Sequence, residues 1–153
     1  MKKVYLLLGS NLEDRVKNIE FAISKLNECG LIISKRSSFY NTTPWGYKEQ
    51  PEFLNIALEC FTSLSPFALL EELKKIEKKM GREDTIRYGP RVIDIDIIFY
   101  EDLIIKTEKL TIPHPLMHER DFVLKPLCEI ASDFIHPELK LSIKELCDNV
   151  KKL

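Results

Sequence analysis

Two aspartates separated by one residue, Asp94 and Asp96, stand inside the run Val92-Ile93-Asp94-Ile95-Asp96-Ile97-Ile98-Phe99-Tyr100. Its β-branched and aromatic content predicts a strand. Residues two apart on a strand face one side, with Cα atoms about 6.5 Å apart. Two carboxylates thus project together from an apolar segment, where an uncompensated charge is costly. Mg²⁺ takes one or two carboxylates together with phosphate oxygens, and two ions about 4 Å apart fit between such side chains. Salt bridges to Arg87 or Arg91 are the plainer alternative.

The surroundings favour the metal. Arg82, Arg87 and Arg91 precede the strand, in a stretch that also holds Gly89 and Pro90. The planar fork of arginine suits phosphate oxygens, and three of them beside an acidic pair describe a polyphosphate site, although a solvated basic loop is the commoner meaning of such a cluster. Downstream, Thr111-Ile112-Pro113-His114-Pro115 sets a histidine between two prolines, which restrict the backbone and so the direction of the ring. His114 could donate to a phosphate or serve only as a turn residue; Lys109 and Arg120 flank it. A second group is aromatic and amide: Trp45, Phe53, Asn55, Tyr88 and Phe122. A flat heterocycle could stack between such rings while an amide reads its polar edge. Taken singly, Phe53 and Phe122 read more simply as core. The chain lacks a Gly-x-x-x-x-Gly-Lys-Ser/Thr loop, a Gly-x-Gly-x-x-Gly turn, a kinase-type set and a nucleophile elbow. Bound ATP would therefore be held by metals and side-chain cations.

The elements that must position these residues follow from periodicity. Val4 to Leu8 predicts a strand, and Leu12 to Cys29 a helix capped by Asn11 and stopped at Gly30. Leu31 to Tyr40 and Phe53 to Thr62 predict two more strands, separated by a turn-rich stretch from Asn41 to Pro51. Ser65-Pro66 opens a helix with an apolar stripe of Leu69, Leu73, Ile76 and Met80 that ends at Gly81. After the acidic strand, Leu103 to Ile112 predicts a short edge hairpin, with helices near Val123 to Ala131 and Ile143 to Val150. The order β-α-β, β-α-β predicts an α+β fold: a ferredoxin-like α/β/α sandwich, with an antiparallel sheet, helices packed on it and long loops at the site. One domain over 1–153 is expected.

Bulk properties narrow the class. The net charge of -1 gives no general attraction for nucleic acid or an anionic membrane. The four cysteines are widely spaced, without a Cys-x-x-Cys pair, and fit a cytoplasmic protein. The apolar run near Met1 is too short for a signal segment or membrane span. No surplus apolar stripe is visible, so a monomer is expected.

Arg87-Tyr88-Gly89-Pro90-Arg91-Val92-Ile93-Asp94-Ile95-Asp96-Ile97-Ile98 resembles the signature of the 6-hydroxymethyl-7,8-dihydropterin pyrophosphokinases. Leu8-Gly9-Ser10-Asn11-Leu12, Ser38-Phe39-Tyr40, Gln50-Pro51-Glu52-Phe53-Leu54-Asn55, Gly81-Arg82, Leu110 to Pro115 and Arg120 to Leu124 are similar to the family pattern in the same order. Trp45 stands where a smaller aliphatic residue is usual, Tyr88 for Trp, Phe53 for Tyr and Lys109 for Arg. The resemblance implies diphosphate transfer from ATP to the pterin hydroxymethyl group in folate biosynthesis, with two Mg²⁺ held by Asp94 and Asp96. Arg82 and Arg91 would join that pair in catalysis. Glu77, Arg82, Arg91, Ile97, Lys109, Thr111, His114 and Arg120 would contact the nucleotide. Thr42, Thr43, Pro44, Trp45, Phe53, Asn55, Tyr88 and Phe122 would enclose the pterin. Two other classes stay open: a non-catalytic ligand- or RNA-binding module of this fold, and another metal-dependent phosphoryl or nucleotidyl transferase.

Overall fold

A computed structural model describes residues 1–12, 14–42, 52–81, 92–115 and 117–151. Its frame is a sheet in the order β2-β4-β1-β5, from Lys2–Ser10 (β1), Ile32–Arg36 (β2), Phe53–Thr62 (β4) and Asp94–Tyr100 (β5); the short Tyr40–Thr42 (β3) also pairs with β4. Every pairing in it is antiparallel. Helices Arg15–Glu28 (α1) and Pro66–Lys79 (α2) complete two β-α-β units, and this strand order is the ferredoxin-like one expected from the sequence.

The sheet is largely buried on both faces along β1, β4 and β5, because these strands carry apolar residues at odd and even positions. Val4, Leu6 and Leu8 of β1 join Ile19, Ala22, Ile23 and Leu26 of α1 and Leu69, Leu73 and Ile76 of α2 in one core. Tyr5 and Leu7 face the other way, onto Asp121–Ala131 (α3) and Ile143–Lys151 (α4), with Val123, Leu124, Leu127, Ile143 and Leu146. The central β1 is thus sandwiched, and its unbroken apolar run follows from that.

Four details differ from the sequence reading. Helix α1 starts at Arg15, not just after Asn11: the Asp14 carboxylate caps the Lys17 N–H at 3.1 Å. The Asn18 amide donates to the Leu12 carbonyl at 2.9 Å and to Ser10 Oγ at 3.2 Å, and these bonds hold 10–12 in a turn. The single strand expected over Leu31 to Tyr40 is two, because Ser37 Oγ accepts the Ala57 N–H and Glu129 of α3 draws off the Ser38 N–H. The hairpin of Ile105–Lys106 (β6) and Thr111–Ile112 (β7) forms its own two-stranded sheet instead of extending the main one. Finally, β5 begins at Asp94, two residues later than expected. The α2 boundaries agree with expectation, with Ser65 Oγ accepting the Ala68 N–H and Gly81 turning the chain at φ 86°. No helix among the described residues is long and apolar enough to cross a membrane.

Candidate active site

The register fixes which side chains share a face. Gly9 lies opposite both Asn55 on β4 and Asp94 on β5, and Leu7 opposite Ala57 and Asp96. On β3, Tyr40 pairs with Asn55 and Thr42 with Phe53. Opposed residues in an antiparallel pair point to one side. Thr42, Phe53, Asn55, Asp94 and Asp96 therefore all belong to the α3/α4 side of the sheet, at the end where β1 finishes. Asp94 is half-buried and Asp96 exposed, a gradient from sheet to solvent along the acidic pair.

Gly9 makes the arrangement possible. A Cβ at this position would meet Asn55 Oδ1 at 2.6 Å and Phe53 Cδ1 at 3.6 Å. The missing side chain lets the Asn55 amide lie across β1, between the aromatic strand and the acidic one. Asn55 is 4% exposed, and its Nδ2 donates to Thr42 Oγ1 at 2.8 Å. A buried amide with one donor committed in this way has a fixed orientation.

Helix α3 supplies the wall above. Phe122 packs half-buried against the second core, and the Arg120 guanidinium lies 5.8 Å from its ring centre. Further along α3, Glu129 accepts from the Ser38 N–H, from Ser38 Oγ at 3.1 Å and from the Tyr40 hydroxyl at 2.7 Å. The hydrogen bond to this carboxylate, with burial, pushes the Tyr40 phenol up to about 12. The same hydrogen bond, with those from Ser38, holds Glu129 below its ordinary value despite some burial.

The outer edge of β5 is covered from two directions. The Glu77 carboxylate, on α2 and 3% exposed, accepts the Ile95 N–H at 2.9 Å. The His114 N–H donates to the Ile98 carbonyl at 3.0 Å. Ile98 is the surplus residue of a β-bulge, since Phe99 pairs with Tyr5 and Ile97 already with Leu6. His114 Nδ1 is buried and has no hydrogen-bond partner among the described residues.

The residues read from the sequence therefore divide. Thr42, Phe53, Asn55, Asp94 and Asp96 share one sheet face, with Phe122 on the helix that covers it, Arg120 at the N-cap of that helix and His114 on the adjoining edge. Ile97 points into the opposite core, so only its backbone can meet a ligand. Glu77 reaches the strand from that opposite side, as a partner for its backbone. Lys109 is exposed between β6 and β7, and Thr111 begins β7 with Oγ1 donating to the Thr107 carbonyl at 3.3 Å. Thr43, Pro44, Trp45, Arg82, Arg87, Tyr88 and Arg91 lie outside the described residues. The roles of Gly9, Tyr40 and Glu129 were not read from composition; only the register and a contact spanning 89 residues expose them.

Known proteins resemble this chain in sequence and in fold. Residues 5–132 match the model of the 7,8-dihydro-6-hydroxymethylpterin-pyrophosphokinase (HPPK) family. A 2-amino-4-hydroxy-6-hydroxymethyldihydropteridine pyrophosphokinase of Aquifex aeolicus is 47% identical over 145 residues, which cover 95% of this chain and 90% of that protein. The folic acid synthesis protein FOL1 of Dictyostelium discoideum is 51% identical over 143 residues, 94% of this chain but 22% of that longer protein. Among solved structures, Plasmodium falciparum HPPK-DHPS with pteroate superposes at a TM-score of 0.77 and 18% identity, over 97% of this chain and 42% of that one, a likeness of fold. With a family match over most of its length and a near full-length relative at this identity, the chain belongs to the HPPK family.

Proposed function

We propose that this chain transfers diphosphate from ATP to the hydroxymethyl oxygen of 6-hydroxymethyl-7,8-dihydropterin, releasing AMP and the pterin diphosphate of folate biosynthesis. The observation that carries the reading is the single sheet face on which the Asp94/Asp96 pair lies beside the Asn55 amide, with Gly9 between them. Family membership supplies the reaction class.

The acidic pair fits Mg²⁺. No group of three or more His, Cys, Asp or Glu collects among the described residues. Two carboxylates suit an ion that keeps water and phosphate oxygens as its other ligands. Asp94 and Asp96 would hold it, two ions being expected, and bound there it would neutralise charge on the triphosphate. The remaining work falls to the chain itself. Asn55, oriented by Thr42, reads the polar edge of the pterin while Phe53 and Phe122 flank its ring; Thr43, Pro44, Trp45 and Tyr88, outside the described residues, would join them as the family resemblance implies. This fixes the hydroxymethyl oxygen in line with the β-phosphorus, and positioning dominates such transfers. Lys109, Thr111, His114 and Arg120 form the nucleotide side, which Arg82 and Arg91, outside the described residues, would join, with Glu77 and Ile97 holding or lining the strand beneath. His114 Nδ1, buried without a partner among the described residues, supports a polar ligand group at that edge. No residue is assigned as general base. A cytoplasmic monomer acting on small molecules alone is part of the same reading.

Product analysis tests it. The chain is incubated with ATP and Mg²⁺, with and without hydroxymethyl-dihydropterin. AMP formed only with pterin supports the proposal. Release of ADP or pyrophosphate assigns a different transferase, and a folded, ATP-binding protein that makes no AMP overturns the pterin reading.

A further inference from the structure

We propose that Arg15 is a positioning residue for the heterocycle subsite, acting through the backbone roots of that subsite rather than by touching a ligand. The inference rests on the pterin reading above. One amino group of Arg15, Nη1, donates to Asn41 Oδ1 and to the Glu52 carbonyl, each at 2.9 Å. Asn41 directly precedes Thr42, and Glu52 directly precedes Phe53. Thr42 and Phe53 form the last pair of the β3–β4 ladder, and Thr42 orients the Asn55 amide. Terminal ladder pairs open most readily. A single side chain thus ties the two strands together just beyond the last ladder pair among the described residues.

The local setting of Arg15 points the same way. It is the first residue of α1, where the helix dipole and free N–H groups favour anions and disfavour a cation. Helix stability therefore gives no reason for arginine here; the bonds to Asn41 and Glu52 do. One turn on, Asn18 holds Ser10 and Leu12, the exit of β1 beyond Gly9. The start of α1 accordingly fixes both the β1 exit and the β3–β4 roots, the two pieces of backbone that bracket Asn55. The grip is completed from the opposite side of the sheet. Asn41 pairs with Leu54, which faces α1 and α2, whereas Tyr40 pairs with Asn55 and is held by Glu129 of α3. Successive side chains of β3 are therefore clamped from the two helical layers. Asp94 and Asp96 lie on β5, separated from β3 by β4 and β1, so the clamp acts on heterocycle placement and leaves the acidic pair alone.

The test is steady-state kinetics of the full chain in both substrates, with thermal unfolding measured alongside. Arg15→Ala raises KM for the pterin about tenfold while KM for ATP and kcat stay within about twofold. Arg15→Lys recovers most of the loss, because an ammonium has three donors for the two acceptors. Asn41→Ala, which removes one acceptor and leaves the helix untouched, shifts pterin KM in the same direction and serves if Arg15→Ala does not fold. An unchanged pterin KM, an equal rise in ATP KM, or no recovery with lysine overturns the proposal. A wild-type chain that makes no AMP sinks the proposed function itself; a wild-type chain that makes AMP alongside an indistinguishable Arg15→Ala sinks this inference alone.

Discussion

Asp94 and Asp96 share a face by the two-residue period of a strand alone, and that much was legible before any fold was known. Asp94→Ala or Asp96→Ala is expected to lower turnover by more than about a hundredfold, since under the proposed function each removes a carboxylate that would hold Mg²⁺, with the thermal midpoint little changed. Retention of more than a few per cent of the activity, by the AMP assay, would remove the metal assignment. Gly9 carries a different expectation. Its Cβ would stand 2.6 Å from Asn55 Oδ1, so Gly9→Ala must turn the amide or shift β1. The overpacking costs about 1–3 kcal/mol, and pterin KM rises while ATP KM does not. Gly9 was visible in the sequence as the end of an apolar run and as part of the family-like Leu8 to Leu12 stretch, with no role attached. Its function depends on the residue opposite it, which strand pairing alone reveals.

At the scale of elements, legibility tracked how local the determining contacts are. Helix α2 was read to its ends because Ser65, Pro66 and Gly81 act within one turn of where they stand. The break between β2 and β3 was not, because Glu129, 91 residues away, takes the Ser38 N–H. The start of α1 was misplaced because both Asn11 and Asp14 can cap a helix, and Asn18 decides between them by folding 10–12 back. Strand β5 offers a prediction of its own. Glu77 is the acceptor for the Ile95 N–H on the outer edge of β5, so Glu77→Ala leaves a buried donor unmatched and destabilises by about 1–3 kcal/mol. Glu77→Gln keeps a carbonyl oxygen there and recovers most of that loss. Denaturant unfolding of the two variants checks the difference, and equal losses would place the role of Glu77 elsewhere.

For the whole molecule, stability should fall in mild acid through His136. This imidazole is 3% exposed, and its Nδ1 accepts the N–H groups of Glu138 and Leu139, each at 3.1 Å. Burial, helped by His118 and opposed by Glu138, holds it below its ordinary 6.5. Below that value the unfolded chain takes up a proton that the folded chain resists, so this contribution is full above 6.5 and is lost as pH falls through the folded pKa. The midpoint of thermal unfolding drops from about pH 7.5 to about pH 5.5, and His136→Ala, though less stable throughout, shows a flatter profile. Equal slopes for the two proteins would assign the acid sensitivity to other groups. Glu59 acts lower on the scale. Burial pushes its carboxyl up, but bonds from the Tyr5 and Ser34 hydroxyls together with the charges of Lys35 and Lys3 hold it below 4.5, so its share is lost only in stronger acid.

The bulge at Ile98 has a consequence for ancestry and editing. Remove that one residue and the ladder closes without a slip: Phe99 still meets Tyr5, Ile97 still meets Leu6, and both aspartates keep their side. What disappears is the spare carbonyl on which the His114 turn hangs. The carboxylates and the imidazole are therefore separable modules joined by one codon. A relative, or a laboratory deletion, lacking that codon would keep the acidic pair in register and set the histidine turn adrift.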